Sequence, residues 1–148
     1  MNMDKAINVA RTVLGYVSTL LILALIILVA AGRVKVAVVE GISMEPTMHT
    51  GDLVFLEKKA PDKIDVGDVV VYHAGSKYII HRVIKIYKNN GRYCYVVKGD
   101  NNPVPDPGFP QCGYRGIPYD AILGVVYSVH NMPVKIPYIG GISVVLKG

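Results

Sequence analysis

The sequence predicts a mainly β fold: a small, coiled antiparallel sheet domain carried on a single N-terminal transmembrane helix. Three observations predict it. A charge-free apolar run lies near the N-terminus, short β-branched segments follow it, and turn-forming residues separate those segments. The chain has 148 residues, 51% of them hydrophobic and 18% charged, with a mean hydropathy of +0.36. That length suits one domain of ordinary size. The wealth of Val, Ile, Leu and Tyr excludes global disorder, and the high hydropathy points to a segment in lipid. The net charge of +5 comes from 16 basic residues scattered along the chain, with no stripe. No nucleic-acid partner is therefore expected, and a basic domain beside anionic lipid headgroups accounts for the charge equally well.

The helix is expected over 12–32, TVLGYVSTLLILALIILVAAG, with Arg11 before it and Arg33 after it. At about 1.5 Å per residue the run reaches roughly 31 Å, the thickness of a bilayer's hydrocarbon core. Ser18 and Thr19 can return their hydroxyls to the helix backbone, so neither opposes insertion. A cleaved signal peptide would have a shorter apolar core, about 7 to 15 residues, although Ala30, Ala31 and Gly32 resemble a cleavage site. A buried soluble helix would show a polar face, and this one has none. The run is read as an uncleaved anchor that follows 1–11. Lys5 and Arg11 on one side balance Arg33 and Lys35 on the other, so flanking charge does not orient it.

Strands are expected over 34–41, 52–58, 68–73, 77–87, 92–99 and 121–129, each short and rich in β-branched residues. Turn residues separate them at 49–52, 66–68, 74–76 and 89–91. Asn90–Gly91 marks a hairpin, because both residues accept the positive φ of a tight turn. These strands make 33–130 the β domain. The stretch 99–118 differs, with nine glycines and prolines in twenty residues. It cannot join a central strand, and it reads as a stiff loop presenting Asp100 and Asp106. The tail, 131–148, is apolar but too short to span a bilayer. Packing on the domain and lying at the membrane interface both stay open for it.

Two cysteines cannot build a four-thiolate metal site, and no histidine pair has HxxxH spacing. No metal and no cofactor are expected. For Cys94 and Cys112, buried thiols and a disulfide are both open.

Chemistry starts at Gly41–Ile42–Ser43–Met44–Glu45–Pro46–Thr47–Met48. Most serines in such turns only bond their own backbone, but Ser43 follows directly on the strand that leads out of the anchor. His49, His73, His81 and His130 are candidate bases, and spacing alone does not choose among them. His81 lies in an apolar strand, where Ile79 and Val83 should share its face. An imidazole there needs a partner for its second nitrogen.

Taken together, Ser43–Met44–Glu45–Pro46–Thr47–Met48, Ile80–His81–Arg82–Val83, and Lys98–Gly99–Asp100–Asn101–Asn102 with Asp106 resemble the conserved boxes of type I signal peptidases. The segment Val66–Gly67–Asp68–Val69–Val70–Val71–Tyr72 resembles the family's strand between the first two boxes. The resemblance covers roughly 41–124 and the anchor, with the boxes in the family's order. Bacterial and organellar members place a lysine before Arg-Val. His81 stands there in this chain, which resembles the archaeal and endoplasmic-reticulum branch.

The resemblance implies a membrane-bound serine endopeptidase that removes signal peptides from exported proteins after small residues. It implies Ser43 as nucleophile, His81 as general base and Asp106 as the orienting acid, with Asp100 in a supporting part. It also implies a single-pass protein of the cell membrane whose catalytic domain is extracytoplasmic. The expected partners are signal peptides of secretory preproteins and the lipid bilayer. Whether accessory subunits or a translocon join it is left open.

The residues themselves suit those roles. A serine hydroxyl is a weak nucleophile until a base takes its proton, and a carboxylate fixes the imidazole tautomer. The backbone N–H of Ser43 is the expected oxyanion donor. An extended substrate would add to an exposed strand edge, supplied by 34–41 and 68–73. Self-cleaving repressor peptidases resemble the same fold, but they use a lysine base, carry a DNA-binding region and need no anchor. The alternative from another class is a non-catalytic, membrane-anchored β module that binds a protein partner.

Overall fold

A computed structural model describes residues 3–32 and 34–137. The chain divides into two units, Met1–Lys35 and Val36–Gly148. The first is one helix, α1 (Met3–Ala30). It starts well before the expected residue 12, because Asp4 sits favourably in a first turn and nothing from Lys5 to Arg11 breaks a helix. Thr12 donates to the Asn8 carbonyl, and Ser18 and Thr19 both donate to the Gly15 carbonyl. Gly32, at φ +67°, closes the last turn with a bond from its N–H to the Val29 carbonyl. None of the helix's residues is buried, and it is long and apolar enough to cross a membrane.

The second unit is a sheet of short strands: β1 (Lys35–Val38), β2 (Leu53–Glu57), β3 (Val69–Ala74), β4 (Lys77–Asn89), β5 (Arg92–Lys98), β6 (Ile117–Pro118) and β7 (Ile122–Val126). Their spatial order is β1-β2-β7-β3-β4-β5-β6, and every register given between neighbours is antiparallel. Asn90 and Gly91, at φ +49° and +77°, make the tight β4–β5 turn. The stiff loop ends in β6, which pairs with β5 at the sheet's edge, where its prolines cost no central hydrogen bond.

Two pairings bring in residues beyond the expected strands. β8 (Ser128–Val129) and β9 (Met132–Pro133) form a small hairpin, and β10 (Lys135–Ile136) pairs with β2. The beginning of the apolar tail therefore belongs to the sheet, while 138–148 lie outside the described residues. One expectation fails. β3 has β7 on one side and β4 on the other, so 68–73 offers no free edge to a substrate. Its four consecutive buried residues (Val69, Val70, Val71 and Tyr72) suit a central strand rather than an edge.

Alternation along β3 divides the core. Val69 and Val71 face a cluster containing Val39, Met44, Met48, Val54, Leu56 and Val126. Val70 and Tyr72 face a second, with Ile64, Val83, Tyr95, Val97, Ile117 and Val125. The first cluster grips the segment that carries Ser43. The second underlies His81.

Candidate active site

His81 lies opposite Val70 in the β3–β4 register and is 6% exposed. Ile79 and Val83 pack with the second cluster, so the expected shared face is present. The His81 Nε2 lies 3.1 Å from the Ser43 Oγ, and its Nδ1 meets the Asp106 Oδ2. An ionised carboxylate can only accept a hydrogen bond, so it draws the ring proton to Nδ1 and leaves Nε2 to accept from the serine. These three side chains come from the loop after β1, the middle of β4 and the loop after β5.

Ser43 is held from both sides. Met44 and Met48 are fully buried below the loop, and the Met48 N–H donates to the Met44 carbonyl. Above it, the Asn101 N–H donates to the Ser43 carbonyl at 2.8 Å, and the Asn101 amide donates to the Ile42 carbonyl. Asp100 completes this clasp. It accepts two parallel bonds from Arg82, at 2.8 and 2.7 Å, and a third from the Thr47 hydroxyl at 2.6 Å. Arg82 also donates to the Gly67 carbonyl. Burial would raise the Asp100 carboxyl, but the bonds from Arg82 and Thr47 outweigh it, helped by the Arg82 and Lys98 charges. Its pKa is held below the usual carboxylate range. The bond to Asp100 raises the Arg82 guanidinium further.

The Asp106 loop is fastened differently. The Asp106 N–H donates to the Val97 carbonyl at 2.9 Å, which sets the carboxyl beside His81. Cys112 and Cys94 are disulfide-bonded, which settles the alternative that the sequence left open. The Tyr72 hydroxyl donates to the Asp106 Oδ2 at 2.6 Å. Burial and that neighbouring carboxylate push the Tyr72 phenol well above its ordinary value. Gly99 lies where the two loops meet. A Cβ there would stand 2.6 Å from the Ser43 carbonyl oxygen and 2.9 Å from the His81 Nε2, so only glycine fits.

The other histidines sit elsewhere. The His49 backbone bonds Asp52 in a turn, the His73 ring packs against Tyr78, and His130 occupies the β8–β9 turn. Among the described residues no group of three or more His, Cys, Asp or Glu side chains could hold a metal ion. Beside Ser43 opens a cleft of about 610 Å³, lined by Ala37, Val38 and Glu40 on one side and by Lys77, Tyr78, Ile79 and Ile80 on the other, with Val71 at its base. β1 stands at the end of the sheet, and β5 pairs with β4 only from Arg82 onward.

A serine, an imidazole and a carboxylate in this order can run acyl transfer. Residues 11–86 match the family "Signal peptidase, peptidase S26". The chain belongs to that family.

Within it, this signal peptidase family member is 34% identical over 126 residues to the human "Signal peptidase complex catalytic subunit SEC11C", covering 83% of this chain and 62% of that relative. It is 33% identical over 133 residues to "Signal peptidase complex catalytic subunit sec11" of Schizosaccharomyces pombe, covering 74% and 65%. The mouse SEC11C protein matches as the human one does. These relatives agree with the archaeal and endoplasmic-reticulum branch that the histidine in place of lysine suggested. The chain spans about three-fifths of the length of these relatives. Tyr72, Thr47 and Asn101 were given no individual role by the sequence. Strand alternation could have placed Tyr72 on the face of His81 only with the β3–β4 register in hand.

Proposed function

We propose that this chain is a membrane-bound serine endopeptidase that cleaves N-terminal signal peptides from exported proteins. The observation that carries the reading is the Ser43–His81–Asp106 chain of contacts at the mouth of a strand-edged cleft. His81 takes the Ser43 proton as Oγ attacks the scissile carbonyl, forming the C–O bond and a tetrahedral oxyanion. The Ser43 backbone N–H donates to that oxyanion. His81 then protonates the leaving amine, and a water repeats the sequence to release the acid. Asp106 holds the tautomer and faces the imidazolium. Asp100 has no proton to move; its part is to bind Arg82 and Thr47 and so hold the serine loop.

An extended peptide lies between β1 and the start of β4, adding a strand where both have an open edge. Ala37, Val71, Ile79 and Ile80 give it apolar walls for the side chains before the cut, which on this reading are small. The helix α1 spans the bilayer with residues 1–11 on the cytoplasmic side and the sheet unit outside. Preproteins presented at that surface are the substrates, with accessory subunits as in the relatives' named complex.

The test uses the full chain in detergent or liposomes with a synthetic preprotein, and mass spectrometry locates the cut. Cleavage after a small residue that disappears in Ser43→Ala supports the proposal. Cleavage undiminished in Ser43→Ala overturns it. Protease added to right-side-out vesicles should reach the sheet unit, and protection there would overturn the topology.

A further inference from the structure

Tyr72 touches neither Ser43 nor the cleft's open mouth, yet its hydroxyl ends on the same Asp106 oxygen that meets His81. Its placement follows from the sheet. Tyr72 pairs with Ile79 and Val70 with His81, so Tyr72 and His81 are diagonal neighbours on one face of adjacent strands. Diagonal pairs stand about 7–8 Å apart between backbones, a gap that one carboxylate entering from a loop can bridge. A register shift against β7 falls at Val71/Tyr72, and such bulges re-aim side chains. The Phe109 ring meets the Tyr72 ring edge-on at 6.4 Å and comes from the same loop as Asp106. Tyr72 is 2% exposed and packs in the second core cluster.

We propose that Tyr72 is a positioning residue of the catalytic chain, extending it to Tyr72–Asp106–His81–Ser43. This rests on the proposed serine–histidine mechanism. Asp106 is on a loop and reaches His81 through a single oxygen, so rotation of its carboxyl would break the contact. The phenol donor pins that oxygen. The hydroxyl also turns its positive end toward the carboxylate and so moderates the field that His81 feels. Burial and Asp106 keep the phenol protonated, so it remains a donor throughout the working pH range. The other ionised groups nearby are engaged elsewhere. Arg82 and Asp100 pair with each other, and the Lys98 ammonium lies on the Gly99 and Asn102 carbonyls.

The test is Tyr72→Phe in the full chain, which keeps the ring and removes only the hydroxyl. The expected result is a kcat about tenfold lower with KM nearly unchanged, the effect of one bond to a charged group. The second readout is independent of turnover: the His81 imidazole titrated by ¹⁵N NMR, its signal assigned by its absence in His81→Gln. Without the phenol the carboxylate holds the imidazolium more strongly, so the midpoint should rise by about half a pH unit or more. An unchanged or lowered midpoint in a folded Tyr72→Phe protein overturns the inference. The two readings separate cleanly. Cleavage that ignores Ser43→Ala removes the proposed function, whereas Ser43-dependent cleavage with Tyr72→Phe at wild-type kcat removes only the role of Tyr72.

Discussion

The loop that carries Ser43, 39–52, is tied down by burial, whereas the loop that carries Asp106, 99–116, is tied down by a covalent bond. Met44 and Met48 sink into the first core cluster within five residues of the serine. Polar clasps from Asp100 and Asn101 then close over the top. The second loop has no fully buried apolar side chain beside its aspartate, only the half-buried Phe109 against the second cluster. Pro103, Pro105, Pro107 and Pro110 stiffen it, Cys112 fastens it to β5, and Phe109 and Tyr72 steady its middle. The difference matches the tasks. A nucleophile must be held within a fraction of an ångström, and dense packing does that. The carboxylate that orients the ring stands in the loop closed by the Cys94–Cys112 bond, and there covalent closure supplies the constraint.

The largest effects should separate the two loops by function. Ser43→Ala and His81→Ala should each cost about 10⁶-fold in kcat, and the pair together little more. Asp106→Ala should cost less, about 10⁴-fold, because it orients the base without reacting. Initial rates on a synthetic preprotein measure all of these, and equal losses at Ser43 and Asp106 would break the distinction.

Gly99→Ala probes the point where the loops meet. The added methyl must push the Ser43 carbonyl or the His81 ring aside, so a loss of about 10²-fold in kcat/KM is expected.

Stability should separate the loops by force. Met44→Ala should lose about 2–5 kcal/mol by emptying a fully buried site. Replacing Cys94 and Cys112 together with serine should lose about 3 kcal/mol, given their separation of 18 residues. A reductant should lower the Tm of the wild type and of Met44→Ala but leave the double serine variant unmoved. Denaturant melts measure each.

The smallest effect is a pH dependence with opposite signs on the two sides. Asp100 is held below its ordinary 3.8, so its contribution is complete above that value and is lost as pH falls through the folded-state pKa. Asp100→Asn should flatten the acid side of the stability curve. Tyr72 is held above its ordinary 10.0, so its contribution is complete below pH 10 and is lost as pH rises, because the unfolded phenol ionises first. Tyr95, pushed up to about 12 by burial, adds to the same alkaline loss. Tyr72→Phe should therefore reduce the alkaline slope, and Tyr95 should preserve part of it.

Much of the site was legible because each box is a local run. Ser43, His81, Asp100 and Asp106 could be singled out from sequence, and so could the face shared by Ile79, His81 and Val83. Thr47 and Asn101 stood inside the same boxes, but their bonds to Asp100 and Ile42 cross 53 and 59 residues. Arg82 stands beside His81 in sequence, but its role is not local, since its partners Asp100 and Gly67 are set by the fold. The edge expected at 68–73 was misplaced because strand composition does not reveal how many neighbours a strand has.

By itself the sequence determined the helix, the main strands and the β4–β5 hairpin. Each depends on a few neighbouring residues: an unbroken apolar run, β-branched side chains, and an Asn-Gly pair that tolerates positive φ. Tertiary structure alone decided that the His81 ring comes within 3.1 Å of the Ser43 hydroxyl, that Cys94 and Cys112 pair, and that Lys135–Ile136 joins β2. It also brought the Tyr72 hydroxyl to Asp106, 34 residues away. These outcomes depend on strand register, where a slip of one residue would turn every side chain to the opposite face. Register is chosen by the packing of the whole sheet, and no local window contains it.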